Sequence, residues 1–175
     1  MTEHRFTLIL AGNVDEHLDD LFEAGCDDAT VGSVDGVHFA EFDREASSLT
    51  EALASAISAV ESVPTLRVKR IEPDDLVTAS DIADRLDRSR ESVRLLVAGQ
   101  RGPGGFPSPV SHLRARNRLW RWSEVAAWAG AAGSPPADDA RIIAALNAAL
   151  ELRAASPLLL DDTRSLVRSL ESSAA

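Results

Sequence analysis

Apolar residues in the first part of the chain fall in short runs separated by polar turns, a pattern that predicts alternating strands and helices. "RFTLILA", from Arg5 to Ala11, is an apolar run of strand length. Asn13 or Asp15 can cap a helix that follows it, with Leu18, Leu21 and Phe22 as its apolar face. The segments "ATVGSV" and "VHFAEF" flank Asp35-Gly36, a dipeptide favoured in two-residue hairpin turns because both central residues need positive φ. Ser48 and Glu51 have the spacing of a capping box, and the helix they open carries Leu53, Ile57 and Val60 on one stripe. Pro64 ends that helix, and "LRVKRI" supplies a last strand.

The predicted order β-α-β-β-α-β is that of a ferredoxin-like sandwich, an α+β fold in which two helices cover one face of an antiparallel sheet. This unit is expected to span residues 1–73. Glu72-Pro73-Asp74-Asp75 then forms a polar joint so short that the next unit should pack against the first.

Beyond the joint the period changes to that of a helix. Thr78 can cap a helix with Asp81 as a short-armed capping-box partner, and Ile82, Ala83 and Leu86 form its apolar face. Small Ala83 permits close approach of a second helix. Asp87 and Arg88 make the break, and Asp tolerates the left-handed backbone that a tight turn needs. Ser89 caps a second helix over residues 89–98, buried through Val93, Leu96 and Val97, which leaves Arg90, Glu91 and Arg94 outward near its N-terminus. Gly102, Pro103, Gly104 and Gly105 break the chain. Phe106 to Val110 and Arg118 to Trp122 then read as two arms of a hairpin wing over 106–122, with Arg114, Arg116 and Arg118 alternating between them so that an extended segment presents all three on one side. Ser123 can cap a further helix, "EVAAWA", whose Val125 and Trp128 close over the hairpin.

Together "TASDIADRLDRSRESVRLLV", "GFPSPV" and "WRWSEVAAW" resemble the excisionase-like and MerR-like winged helix-turn-helix domains over about residues 74–130, within a unit expected to span 74–131. The resemblance implies a DNA-binding fold. It carries Arg90, Glu91 and Arg94 onto recognition-helix positions and Arg116 and Arg118 onto the wing. Asp87 stands where many such domains have Gly.

Charge is distributed in keeping with that reading. The chain has formal net charge −10, but residues 1–65 hold 2 basic and 14 acidic side chains, whereas residues 66–130 hold 12 and 8. Repulsion of a phosphate backbone by the acidic remainder is screened beyond about 8 Å at physiological salt. Arg90, Glu91 and Arg94 are therefore expected to contact bases in the major groove, with Glu91 accepting from a cytosine amino group. Arg88 and Ser89 would hold phosphates at the helix N-terminus, and Arg114, Arg116 and Arg118 would grip the flanking backbone or minor groove.

Residues 132–175 are expected to form a linker, "AAGSPPADD", and a helical hairpin. Asp138 or Asp139 starts a helix with the stripe Ile142, Ile143, Leu146 and Leu150; Asp161 or Asp162 starts a second with Leu166, Val167 and Leu170. Two such helices cannot bury both stripes alone, which predicts docking on the body of the protein or, as the favoured outcome, a homodimer.

Other chemistry finds little support. The carboxylates Asp15, Asp19 and Glu23 have the spacing of a solvated helix face, with no EF-hand loop and no accompanying His or Cys. The Gly-rich run at 102–105 lacks the Lys-Ser/Thr ending of a phosphate loop, and no G-x-S-x-G occurs. No enzyme, metal or cofactor is expected. Trp120, Trp122 and Trp128 could stack on unpaired bases, but a small domain needs them as core. A lone cysteine, Cys26, and the absence of a basic leader or a membrane-length apolar stretch predict a cytoplasmic protein. The expected function is sequence-specific binding of double-stranded DNA, as a transcriptional regulator. The alternatives are an excisionase-type architectural factor, or an adaptor or antitoxin whose acidic N-terminal unit binds a basic protein.

Overall fold

The computed structural model describes residues 1–112, 117–130 and 137–173 and has a mixed α+β architecture. Strand β1 (Thr2–Ala11) buries Phe6, Leu8 and Leu10 at alternate positions, the period of a sheet with one covered face. It pairs antiparallel with β3 (Val37–Ala46) on one side and with β4 (Arg67–Glu72) on the other. Strand β2 (Ala29–Val34) joins β3 through the expected two-residue turn, with φ of 51° at Asp35 and 78° at Gly36. The resulting order is β2-β3-β1-β4, antiparallel at every step.

Two helices help to close this core. Helix α2 (Leu49–Ser62) buries Leu49, Ala52, Leu53, Ala56 and Val60. Ser48 accepts the Glu51 amide as expected, but the Glu51 carboxylate takes the amide and hydroxyl of Ser47 rather than the amide of Ser48. Helix α1 (Leu18–Glu23) departs further from expectation. Only Leu21 is buried, while Leu18 and Phe22 are exposed, Phe22 to 67%. Leu21 and Phe22 lie about 100° apart on so short a helix, and the residues that join Leu21 in the buried core from the flanking turns are Val14 and Cys26.

The C-terminal segment forms the two expected helices, and they divide between the outcomes open to them. Helix α6 (Ala137–Ala155) lies on the same chain, with Ile143 and Leu150 in the core of the sheet and Ala140 in a second core. It also closes the β4 edge. Asn147, 4% exposed, accepts the Ile71 amide at 2.8 Å and donates to the Ile71 carbonyl at 2.9 Å, as a neighbouring strand would. Glu61 accepts the Val68 amide at 3.0 Å, and Arg153 donates to the Val68 carbonyl at 2.8 Å while forking onto Glu61. Helix α7 (Asp161–Ser172), in contrast, buries no residue, and Leu166 and Leu170 are open to solvent. The two stripes thus have different fates, because only α6 reaches an unfilled core and an unpaired edge.

The second core gathers Val77, Ile82, Ala83, Val93, Trp120, Trp122, Val125 and Ala126 together with Ala140. Its elements are a short ladder of β5 (Leu76–Val77) with β6 (Trp120–Arg121), and helices α3 (Ala79–Arg85), α4 (Arg90–Val97) and α5 (Trp122–Ala129).

Candidate nucleic-acid interface

Helix α3 begins with a complete capping box: Thr78 accepts the Asp81 amide at 3.3 Å, and Asp81 accepts the Thr78 amide at 2.7 Å. The turn into α4 passes through Asp87 at φ 50°, the left-handed residue expected there, and the Arg88 amide returns to the Ala83 carbonyl at 2.8 Å. Ser89 then caps α4 by accepting the Ser92 amide at 3.1 Å. Val93 and Leu96 face inward, so Arg88, Ser89, Arg90, Glu91 and Arg94 all lie exposed on or beside the first turns of α4.

Two of these residues are not independent. Arg94 forks onto Glu91, with Nε to Oε2 at 2.8 Å and Nη2 to Oε1 at 2.6 Å. That hydrogen bond holds the Glu91 carboxyl below the usual glutamate range and raises the Arg94 guanidinium. Glu91 and Arg94 thus present themselves as one paired unit on the outer face of α4, with the carboxylate oxygens already accepting from the guanidinium. The cause is helical spacing, which places residues three apart side by side.

The region after α4 is tied down from several directions. Gly102 sits at φ 81°, and an added Cβ would meet the Leu96 side chain at 2.8 Å, so this turn presses against the end of α4. Trp128 donates to the Gly104 carbonyl at 2.8 Å and takes Phe106 edge-on at a centroid distance of 4.9 Å. Trp120 donates to the Pro107 carbonyl at 3.1 Å. Trp120 and Trp122 are both buried, which commits them to packing.

Among the described residues the two arms of the expected hairpin pair less than predicted. Phe106 to Val110 forms no strand; a single antiparallel bridge joins Ser111 to Leu119, and β6 pairs with β5 instead. Arg118 is exposed beside that bridge, whereas Arg114 and Arg116 lie outside the described residues.

Trp122, expected to end a strand, is the first residue of α5, and Ser123 is not its cap. That role falls to Asp75, which belongs to the supposed polar joint yet is 2% exposed. Its carbonyl accepts the Trp122 amide at 2.6 Å and its Oδ1 the Ser123 amide at 2.7 Å, while Oδ2 accepts from Arg121 at 3.1 Å. The carboxylate satisfies a buried amide and opposes the positive end of the helix. Arg85 is withdrawn as well: its guanidinium lies 5.1 Å from the Trp122 ring centroid and donates to the Asp74 carbonyl, with burial lowering its pKa.

The basic surface is therefore narrower than the arginine count implies. Arg88, Arg90 and Arg118 are exposed and form no ion pair among the described residues. Arg101, which was not among the expected contacts, has the same character just beyond α4. Its signal in the sequence is its place between a helix end and a glycine turn. Among the described residues no cluster of His, Cys, Asp and Glu is arranged to hold a metal, and no helix is long and apolar enough to cross a membrane. No family model matches this chain, and no curated protein or solved structure is significantly similar to it.

Proposed function

We propose that the chain binds double-stranded DNA in a sequence-specific manner as a cytoplasmic transcriptional regulator, with α4 entering the major groove. The observation that carries this reading is the outward group Arg88, Arg90 and Arg94 on and beside the first turns of a Ser89-capped helix, held against α3 by the Asp87 turn. A helix N-terminus with exposed guanidinium groups suits phosphate contact at its end and base contact one turn further on. Arg118 would add a contact from the wing, joined by Arg114 and Arg116.

The pairing of β5 with β6 and the Ser111–Leu119 bridge favour an excisionase-like or MerR-like winged helix-turn-helix for residues 74–131. The order β2-β3-β1-β4 favours a ferredoxin-like arrangement for residues 1–73. Leu166 and Leu170 of α7, left uncovered by their own chain, are the surface assigned to homodimer formation. Dimerisation would present two copies of α4 to half-sites about 34 Å or a multiple apart.

The test is fluorescence anisotropy with labelled fragments from beside the protein's own gene, read at several salt concentrations against scrambled DNA. Selective, salt-dependent binding supports the reading; equal affinity for all fragments removes sequence specificity, and no binding removes DNA.

A further inference from the structure

The two edges of the sheet are treated in opposite ways. At β4 the outward backbone groups are occupied by Asn147, Glu61 and Arg153. At β2 they are not. The Asp43 amide donates to the Asp28 carbonyl, so with the antiparallel period of two Thr30, Gly32 and Val34 also bond to β3, and Val31 and Ser33 aim theirs outward. The Ala29 amide, which shares that outward direction, is taken by the Cys26 carbonyl, whereas no side chain among the described residues reaches Val31 or Ser33.

Strand β2 also lacks the usual protections of an edge. Its six residues, "ATVGSV", include no charge and no proline, and its register with β3 runs without a bulge. Gly32 brings its backbone under the Phe39 ring, and Val34 and Val37 are exposed on the same face. The edge is thus an open, regular template with an apolar flank.

Its surroundings select the occupant. Asp27 and Asp35 are exposed at its two ends, and Glu41 is exposed opposite Thr30 on the next strand. Of residues 1–65, the only two arginines are already committed, Arg5 to Asp43 and Arg44 to Asp28. A second copy fits poorly, because antiparallel pairing along the whole strand would set Asp35 of one chain beside Asp27 of the other, and like charges facing each other across strands are destabilising.

We infer that the β2 edge is a docking site for an extended basic segment of a partner protein, which adds to the sheet as a further strand. Main-chain hydrogen bonds to Val31 and Ser33 would supply the pairing, and lysine or arginine side chains would answer Asp27, Asp35 and Glu41. This inference stands apart from DNA binding, since it uses none of the residues of α4.

The experiment is amide hydrogen exchange on the full chain, with a short synthetic peptide of alternating lysine and valine and a glutamate-valine counterpart as probes. The lysine peptide is expected to slow exchange at Val31 and Ser33, leaving the bonded amides of Thr30 and Gly32 little changed; the glutamate peptide should do neither. Ser33→Pro removes an outward donor without touching the β3 ladder, and it should weaken lysine-peptide binding by about tenfold or more. Binding with no protection at Val31 and Ser33 would reduce the effect to unspecific charge attraction and overturn the proposal, as would absence of binding. Protection that grows with protein concentration and no peptide would assign the edge to a second copy instead. Should Ser33→Pro fail to fold, the exchange pattern of the unaltered chain decides alone.

Discussion

The carboxylate of Asp75 accepts the backbone amide of Ser123 at 2.7 Å, across 48 positions of sequence. Through this contact the segment leaving the sheet sets the start of α5, and with it the helix against which the region after α4 is pinned by Trp128. The geometry of the proposed DNA-binding surface thus depends on an acidic residue that makes none of the proposed DNA contacts.

Asp75→Ala should destabilise the chain by about 1–3 kcal/mol, because it leaves the buried Ser123 amide without an acceptor. Asp75→Asn keeps one oxygen for that amide and should cost less. Urea unfolding of the two variants gives the comparison, and an Ala variant as stable as the parent would contradict the capping role.

Asn147→Leu removes both hydrogen bonds to Ile71 and leaves the β4 edge unpaired beneath α6. The expected loss is about 2 kcal/mol or more, together with faster amide exchange at Ile71. Unchanged exchange there would mean that α6 covers the edge without the help of this side chain.

The clamp of Glu61, Arg153 and Val68 should make stability depend on acid pH. Burial of Glu61 raises its pKa, but the hydrogen bonds from Arg153 and the Val68 amide outweigh burial and hold it below the usual range. A group depressed in the folded state contributes stability above its unfolded value, about 4.3, and loses that contribution as pH falls through the folded value. Glu61→Gln should therefore flatten the acid limb of a plot of unfolding free energy against pH. An identical limb in both proteins would place the acid sensitivity elsewhere.

Replacing Arg94 with Ala should cost roughly 1–3 kcal/mol on a cognate DNA site and relax preference at one base pair. Arg118→Ala should instead weaken cognate and scrambled DNA alike and lower the slope of log affinity against log salt by about one for each phosphate that Arg118 neutralises. Glu91→Gln separates the pair: it releases Arg94 from its fork, so base preference should fall while the thermal transition stays in place. Anisotropy titrations over a range of salt check all three, and unaffected binding in every variant would remove α4 and the wing from the interface.

Replacing Leu166 and Leu170 together by Glu should convert a dimer to a monomer by light scattering without loss of helix content, since neither side chain is buried in its own chain. A parent protein that is already monomeric at working concentration would end the assignment of α7 to dimer formation.

Local chemistry, legible residue by residue, determined much of this protein. The Asp35-Gly36 turn, the Thr78–Asp81 box, the Ser89 cap and the buried stripes of α2 and α4 depend on neighbours within a few positions, and the structure places them where the pattern predicts. The outward position of Arg90, Glu91 and Arg94 follows from the same helical period.

What required the tertiary structure were partners far apart in the chain. Nothing in "EPDDL" distinguishes Asp75 from Asp74, yet one is buried at a helix start and the other accepts the side chain of Arg70. Asn147 reads as a polar interruption in an apolar stripe until the open edge of β4 is set against it. The α6 and α7 stripes look alike in sequence, and only the position of an unfilled core and an unpaired edge decided which would be covered. The period of a segment sets which side chains share a face, whereas the element that meets that face is chosen by packing of the whole chain.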